Sequence, residues 1–361
     1  MRRLKTSRAL KRGMARACAF TALLFASAML ARTASAGGIE VTSGGTATYS
    51  TVIAVPPGIA GMAPSLALSY NGASTNGPVG VGWALQGLSL ITRCGASAET
   101  DGKSGAVLFA TSDRLCLDGQ RLIQTNANGV PVAASPAANG ALLDASGRPE
   151  DGSYTEYRTQ KDSFARIRAY GMANGAVGNG PRYFKLWTKS GQVMEFGAGP
   201  SADSNAHALV SAYGQNIAVV WALARSSDAM GNYVDYKYNQ RDIAWGSGKV
   251  AGTPTTGREW NLVEIQYTGT PTQAPANKVI FEYADRPDTP GAAQDRSEAY
   301  HHGSKTLSIQ LLKAIRTYIN WPGPALGVTA SPGGLPLAQP STAVKVKATK
   351  ITYTQGPNTG R

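Results

Sequence analysis

Short runs in which apolar and polar residues alternate recur along the chain, each closing on a turn signal. Leu66, Leu68 and Tyr70 alternate with Ser65, Ala67 and Ser69, and Ala165, Ile167 and Ala169 with Arg166 and Arg168. Phe184 and Leu186 alternate with Tyr183, Lys185 and Trp187, Val263, Ile265 and Tyr267 with Glu264 and Gln266, and Val279, Phe281 and Tyr283 with Ile280 and Glu282. A period of two sends successive side chains to opposite faces, so each run predicts a strand with one apolar face. FKLWTKSGQVMEFG, residues 184–197, predicts a hairpin turning at Ser190-Gly191. No long segment shows helical periodicity. In KTLSIQLLKAIRTYI, residues 305–319, Leu307, Leu311, Leu312 and Ile315 have helical spacing while the β-branched residues suit a strand, and both readings stand. Near the C-terminus Val344 and Val346 hold one register and Ile351 and Tyr353 the other, which predicts a strand with a bulge near residues 348–350. The expected fold is all-β.

Turn chemistry sharpens the pattern in two places. Residues 55–93 hold almost no ionisable group. Pro56-Pro57-Gly58 predicts an extended entry followed by a turn in which glycine takes a positive φ. The cluster STNGPVGVG, with Gly80 and Gly82, leads to Trp83, which is expected to bury itself with Leu85, Leu88, Leu90 and Ile91. Farther on, Asp228, Gly231 and Asn232 predict a turn before Val234, Tyr236 and Tyr238, which line one strand face. Residues 130–152 and 321–342 are rich in Ala, Pro and Gly and read as loop insertions.

Composition then separates the first 36 residues from the rest. Seven basic residues precede the apolar stretch 17–31, and Ala34-Ser35-Ala36 before Gly37 forms a cleavage signal, so residues 1–36 predict a Sec-type leader cut between Ala36 and Gly37 and an exported product. The apolar stretch is shorter than the roughly 20 residues a spanning helix needs, so stable membrane insertion is not expected. The leader holds eight basic and no acidic residues; without it the formal charge of +13 falls to +5. The remaining excess is dispersed, which argues against a nucleic-acid partner. Cys94 and Cys116 remain, and an even pair in an exported chain predicts a disulfide, with two separately buried thiols as the alternative.

Candidate chemistry is sparse. The adjacent His301 and His302 would face opposite ways in a strand, and neither they nor His207 have companions at metal-ligand spacing. Asp285, Asp288 and Asp295 do not have the spacing of a calcium loop, and no glycine cluster resolves into a phosphate-binding motif. No catalytic residue, metal or cofactor is therefore expected.

PPGIAGMAPSLALSYNGASTNGPVGVGWALQGLSLITR, residues 56–93, DRLCLDGQRLI, residues 113–123, GPRYFKLWTKSGQVMEFG, DAMGNYVDYKY and FEYADRPDT follow one another in an order that resembles the SpvB-type N-terminal domain family, shared by the B components of insecticidal toxin complexes and by Rhs-like toxins. The resemblance covers nearly all of residues 37–361. It implies a curved antiparallel β-strip forming part of an Rhs or toxin-complex shell around a toxic polypeptide, with Rhs-repeat or toxin-complex polypeptides as partners and a structural, non-enzymatic role. Members of the family that carry an actin ADP-ribosyltransferase domain need a paired Glu-x-Glu, and no two glutamates here stand two apart. The implied domain is the N-terminal part of a larger architecture; if the chain is such a part, AVKVKATKITYTQ is expected to be an open edge through which it self-associates, while the competing reading is that Lys345, Lys347 and Lys350 blunt the edge of a free-standing domain. The rival readings are a secreted carbohydrate- or protein-binding module using Tyr154, Tyr157, Trp187 and Trp245 as exposed aromatics, and a truncated fragment inactive alone.

Overall fold

The computed structural model describes residues 38–125, 131, 154–201, 207–245, 255–286, 297–322 and 339–353. The predicted leader and its cleavage site, most of both predicted insertions, and Asp288 and Asp295 lie outside the described residues.

The described chain opens with β1 (Glu40–Val41), β2 (Ala47–Ile53) and β3 (Leu66–Asn71), then the two-residue strands β4 (Asn76–Gly77) and β5 (Gly80–Val81), and then β6 (Trp83–Gln86). A four-stranded sheet in the order β1-β2-β3-β6 results, with β4 and β5 as a separate ribbon. Seven strands follow, each antiparallel to the one before: β7 (Leu90–Cys94), β8 (Arg114–Leu117), β9 (Gln120–Thr125), β10 (Thr155–Thr159), β11 (Arg166–Tyr170), β12 (Tyr183–Trp187) and β13 (Val193–Gly197). After β14 (Leu209–Ser211), the long strand β15 (Ala218–Ser227) pairs with β7 through residues 220–222 and with β13 through residues 223–227. The pairing thus returns on itself through eight strands as a barrel, which has no free edge within the ring.

From β15 the sheet continues outward. β16 (Tyr233–Trp245), β17 (Thr255–Gly269), β18 (Asn277–Asp285), β21 (Gln310–Ile319) and β22 (Val344–Lys350) extend it in that order, all antiparallel. The hairpin of β19 (Ser297–His301) and β20 (Ser304–Ser308) touches β17 at one parallel bridge. The ambiguous stretch 305–319 is therefore strand throughout: β21 is buried on both faces, and its continuous apolar run produced the apparent helical spacing.

Alternation places the barrel core as expected. Ile167, Phe184, Leu186 and Phe196 turn inward while Arg166 and Lys185 stand outside. The fully buried indole at its centre is Trp221, which donates from Nε1 to the Pro181 carbonyl at 2.7 Å and meets Phe184 edge-on at 5.3 Å. Trp83 packs against the main core with Leu85, Leu88 and Leu90, beside the fully buried Ile91, but remains half-buried between Tyr49 and Tyr70 because β6 is the edge of the short sheet. Cys94 and Cys116 are joined, tying β7 to β8.

The strip departs from simple alternation. Glu264 and Gln266, expected on a solvated face, are buried. Lys278 pairs with Glu264 at 2.7 Å, both side chains being 2% exposed, and its ammonium lies 4.8 Å from the ring of Trp321. Trp321 packs edge-on against Tyr318 at 5.1 Å, so it belongs to the folded body rather than to the loop insertion predicted to begin there.

Candidate functional site

The residues that the sequence singles out build the N-terminal covering of the strip. Pro56 and Pro57 direct their carbonyls at β17 and its successor: Tyr267 donates to the Pro56 oxygen at 3.0 Å and Asn277 to the Pro57 oxygen at 3.5 Å. Gly58 is extended, with φ −95°, so the predicted positive φ is corrected; a Cβ there would stand 1.7 Å from the Met62 carbonyl oxygen, and close backbone approach is what demands glycine. Gly82 does take a positive φ, 78°, and a Cβ on it would enter the Tyr70 ring at 2.5 Å. Gly80 lies against Tyr353, whose hydroxyl donates to the Leu312 carbonyl at 2.6 Å. The motif near the N-terminus is thus locked to β21 and to the segment after β22.

The turn at 228–232 forms as expected. One Asp228 oxygen accepts from the backbone of Met230 and Asn232, both at 2.9 Å, and the other accepts from the Asn232 side chain at 2.7 Å. The Asn232 side-chain bond, together with the backbone bonds, holds this carboxyl below its ordinary value. Val234, Tyr236 and Tyr238 line the buried face of β16.

Three groups that sequence reasoning missed join distant segments, two of them in the strip and one in the barrel. Glu259 accepts from the backbone of Ile309 and Gln310, both at 2.8 Å, while Arg241 pairs with its other oxygen at 2.6 Å. Arg286, almost fully buried, donates to the Gly77 carbonyl at 2.7 Å and to Ser308 at 3.1 Å. In the barrel, buried Arg93 donates to the Ala218 and Ala110 carbonyls at 2.7 and 2.8 Å and pairs with Asp113; burial pulls its guanidinium below the usual arginine range. Each joins segments far apart in the chain, a relation that local spacing does not encode.

Two hollows lie along β8 and β9, the larger touching the disulfide at Cys116. The larger, about 540 Å³, is lined by Ser97, Thr100, Cys116, Gln120, Arg121 and Lys161 among others and contains no carboxylate or imidazole. The smaller includes Asp101 and Asp113, but arginines engage both. Neither presents a nucleophile beside a base. His302 sits in the β19–β20 turn at φ 51°, its Nδ1 3.1 Å from the Arg93 carbonyl, and burial lowers its pKa. Among the described residues no three His, Cys, Asp or Glu side chains gather as a metal site. Of the proposed exposed aromatics, Tyr157 is buried in the barrel core and is corrected; Tyr154 and Trp187 are half-buried, and the side chain of Trp245 lies outside the described residues.

The surface that stands out is β22. Its residues are exposed on both faces except for Thr349, with Val344 and Val346 each 52% exposed. The bulge lies at Val346, between the pairs Tyr318↔Lys345 and Thr317↔Lys347, rather than near residues 348–350, and Ile351 and Tyr353 have already left the strand. Ala343 is buried at one end, and Ile351 donates to the Lys313 carbonyl at 2.9 Å at the other. The strand is pinned at both ends and uncovered between them. Among the described residues no strand pairs with its outer side, and Lys345, Lys347 and Lys350 make no ion pair there. Such an edge offers main-chain donors and acceptors to an extended partner.

A barrel continued as an antiparallel strip defines an all-β class of fold. Within it, the chain belongs to the family described as Salmonella virulence plasmid 65kDa B protein, SpvB, whose model matches residues 41–300. It is 24% identical over 290 residues to the mono(ADP-ribosyl)transferase SpvB of Salmonella typhimurium and to that of Salmonella dublin, covering 73% of this chain and 46% of each relative; the chain spans about half the length of those proteins. Its fold is similar to the N-terminal domain of the effector SpvB from Salmonella typhimurium, with TM-score 0.54, 20% identity, and coverage of 85% of this chain and 94% of that one. It is also similar to the TcdB2-TccC3 crystal structure, with TM-score 0.56, 18% identity, and coverage of 86% and 15%. A Photorhabdus luminescens Tc holotoxin pore matches at TM-score 0.55, 18% identity, and coverage of 86% and 14%. These likenesses establish the fold. No helix of the described residues is long and apolar enough to cross a membrane.

Proposed function

We propose that residues 37–361 form a non-enzymatic assembly domain, exported by the leader 1–36, that contributes wall to a β shell of a toxin-complex or Rhs-type system. The observation that carries this reading is the edge strand β22, anchored at both ends yet uncovered on both faces. An Rhs-repeat or toxin-complex polypeptide would continue the sheet from it by antiparallel pairing. The toxin-complex proteins of similar fold support the choice of system. The carboxylates of the hollows serve arginines, which supports a structural rather than a chemical role. Co-expression with the Rhs-repeat polypeptide of the same system is expected to yield a stable complex. The double substitution Val344→Lys with Val346→Lys is expected to abolish it while leaving the thermal midpoint of the isolated protein unchanged; a complex unaffected by that change would refute the edge as the joint.

A further inference from the structure

The outer face of the barrel carries a cluster that assembly through β22 does not use. Arg166 on β11 stands opposite Trp187 on β12, and Arg168 opposite Lys185. Arg166, Arg168 and Lys185 converge on the half-buried Trp187 ring, at 5.9, 5.7 and 5.8 Å from its centroid. With neighbouring Arg158, four cations share two carboxylates: Glu156 serves Arg158, Arg166 and Arg168, and Glu195 serves Lys185. Arg166 engages Glu156 only through Nε, at 3.4 Å; its two Nη groups make no hydrogen bond among the described residues, and its side chain is 46% exposed. Three arginines share the single charge of Glu156, so the like charges around the ring are only partly offset and a further anion is favoured there.

A second observation falls at the same end of this sheet. Phe164, in the loop before β11, is 68% exposed and held at φ 59° by a hydrogen bond from its backbone N–H to Asp162 at 2.7 Å. Lys189, two residues beyond Trp187, places its ammonium 4.9 Å from the Phe164 ring. A bulky residue at positive φ is strained, and presenting its ring to water adds a further cost. Two aromatic rings at one sheet end thus have cations beside them and keep part of their surface open, Trp187 being half-buried and Phe164 exposed.

We infer that this face binds an acidic oligosaccharide of the uronic-acid class, with sugar rings against Trp187 and Phe164 and carboxylates on Arg166, Lys185 and Lys189. The donors left open are the Nη groups of Arg166, beside the ammonium groups of Lys185 and Lys189, and such cations suit a carboxylate; flat aromatic faces suit the apolar face of a pyranose. Counting Lys189 and Asp162, five cations face three carboxylates, and this excess of two positive charges, interrupted by Glu156, Glu195 and Asp162, matches a ligand with widely spaced charges better than a phosphate chain. Calorimetric titration of the purified protein with a galacturonate hexamer tests this, with maltohexaose, decaglutamate and a ten-nucleotide oligothymidylate as comparisons. Saturable binding of the hexamer alone is expected, weakened about tenfold or more by Trp187→Ala and by Arg166→Gln. Arg166→Gln changes an exposed side chain and so serves as the test should Trp187→Ala fail to fold. No binding of the hexamer, binding unchanged in Arg166→Gln, or equal binding of any comparison compound would overturn the inference.

Discussion

Close approach alone explains Gly58, whereas Gly80 and Gly82 combine it with a positive φ. At Gly58 the backbone itself blocks a side chain, since the Met62 carbonyl occupies the place of a Cβ. Gly58→Ala is therefore expected to destabilise the protein by about 2–3 kcal/mol in denaturant unfolding, the range of overpacking that moves backbone. Asp228 acts differently. Its carboxylate fastens a turn through three hydrogen bonds, and its folded pKa lies below the unfolded value. The associated stability is full above the ordinary carboxylate pKa of about 4 and is lost as pH falls through the lower folded value. Asp228→Ala is expected to cost about 1 kcal/mol at neutral pH, a figure discounted for the turn's exposure, and to remove that part of the acid dependence. This turn was legible because its bonds are local; the carbonyl facing Gly58 was not, although it comes from only four residues away, because a proline-glycine signal suggests a bend without saying what the bend touches.

Strand existence was more legible than strand environment. Period-two runs at 165–169 and 184–187 became barrel strands with the expected inward residues, and Ser190-Gly191 became the hairpin turn. Alternation failed where a second layer covers the polar face: Glu264 and Lys278 look solvated in sequence, yet Trp321 and Tyr318 arrive from β21 and beyond to bury them. Burial pulls the Lys278 ammonium down against the pull of Glu264. Lys278→Met is expected to destabilise by about 3–5 kcal/mol because it strands a buried carboxylate, whereas the pair Lys278→Met with Glu264→Leu should recover most of that loss. Equal losses in the single and double variants, measured by urea unfolding, would show that the carboxylate is not the source. The two tryptophans make the same point. Trp83 has aliphatic neighbours in sequence and lies on an edge; Trp221 is central because β15 is the strand where ring and strip meet.

At the scale of the molecule, β15 belongs to both the ring and the strip of one sheet, and among the described residues the outermost strand of the strip is β22. Nothing in the local pattern of VKVKATK distinguishes a half-covered strand from one uncovered on both faces; that distinction depends on which elements fail to reach it. Its three lysines carry like charge, which disfavours edge-to-edge pairing of two copies. The central claim, which rests on the proposed function, is that this edge is open until a partner strand arrives. Hydrogen–deuterium exchange of residues 344–350 tests it most directly, with and without the Rhs-repeat polypeptide of the same system. The outward amides of β22 are expected to exchange rapidly in the isolated protein and to become protected in the complex; protection that is already complete in the isolated protein, or exchange unchanged by the bound partner, would contradict the account.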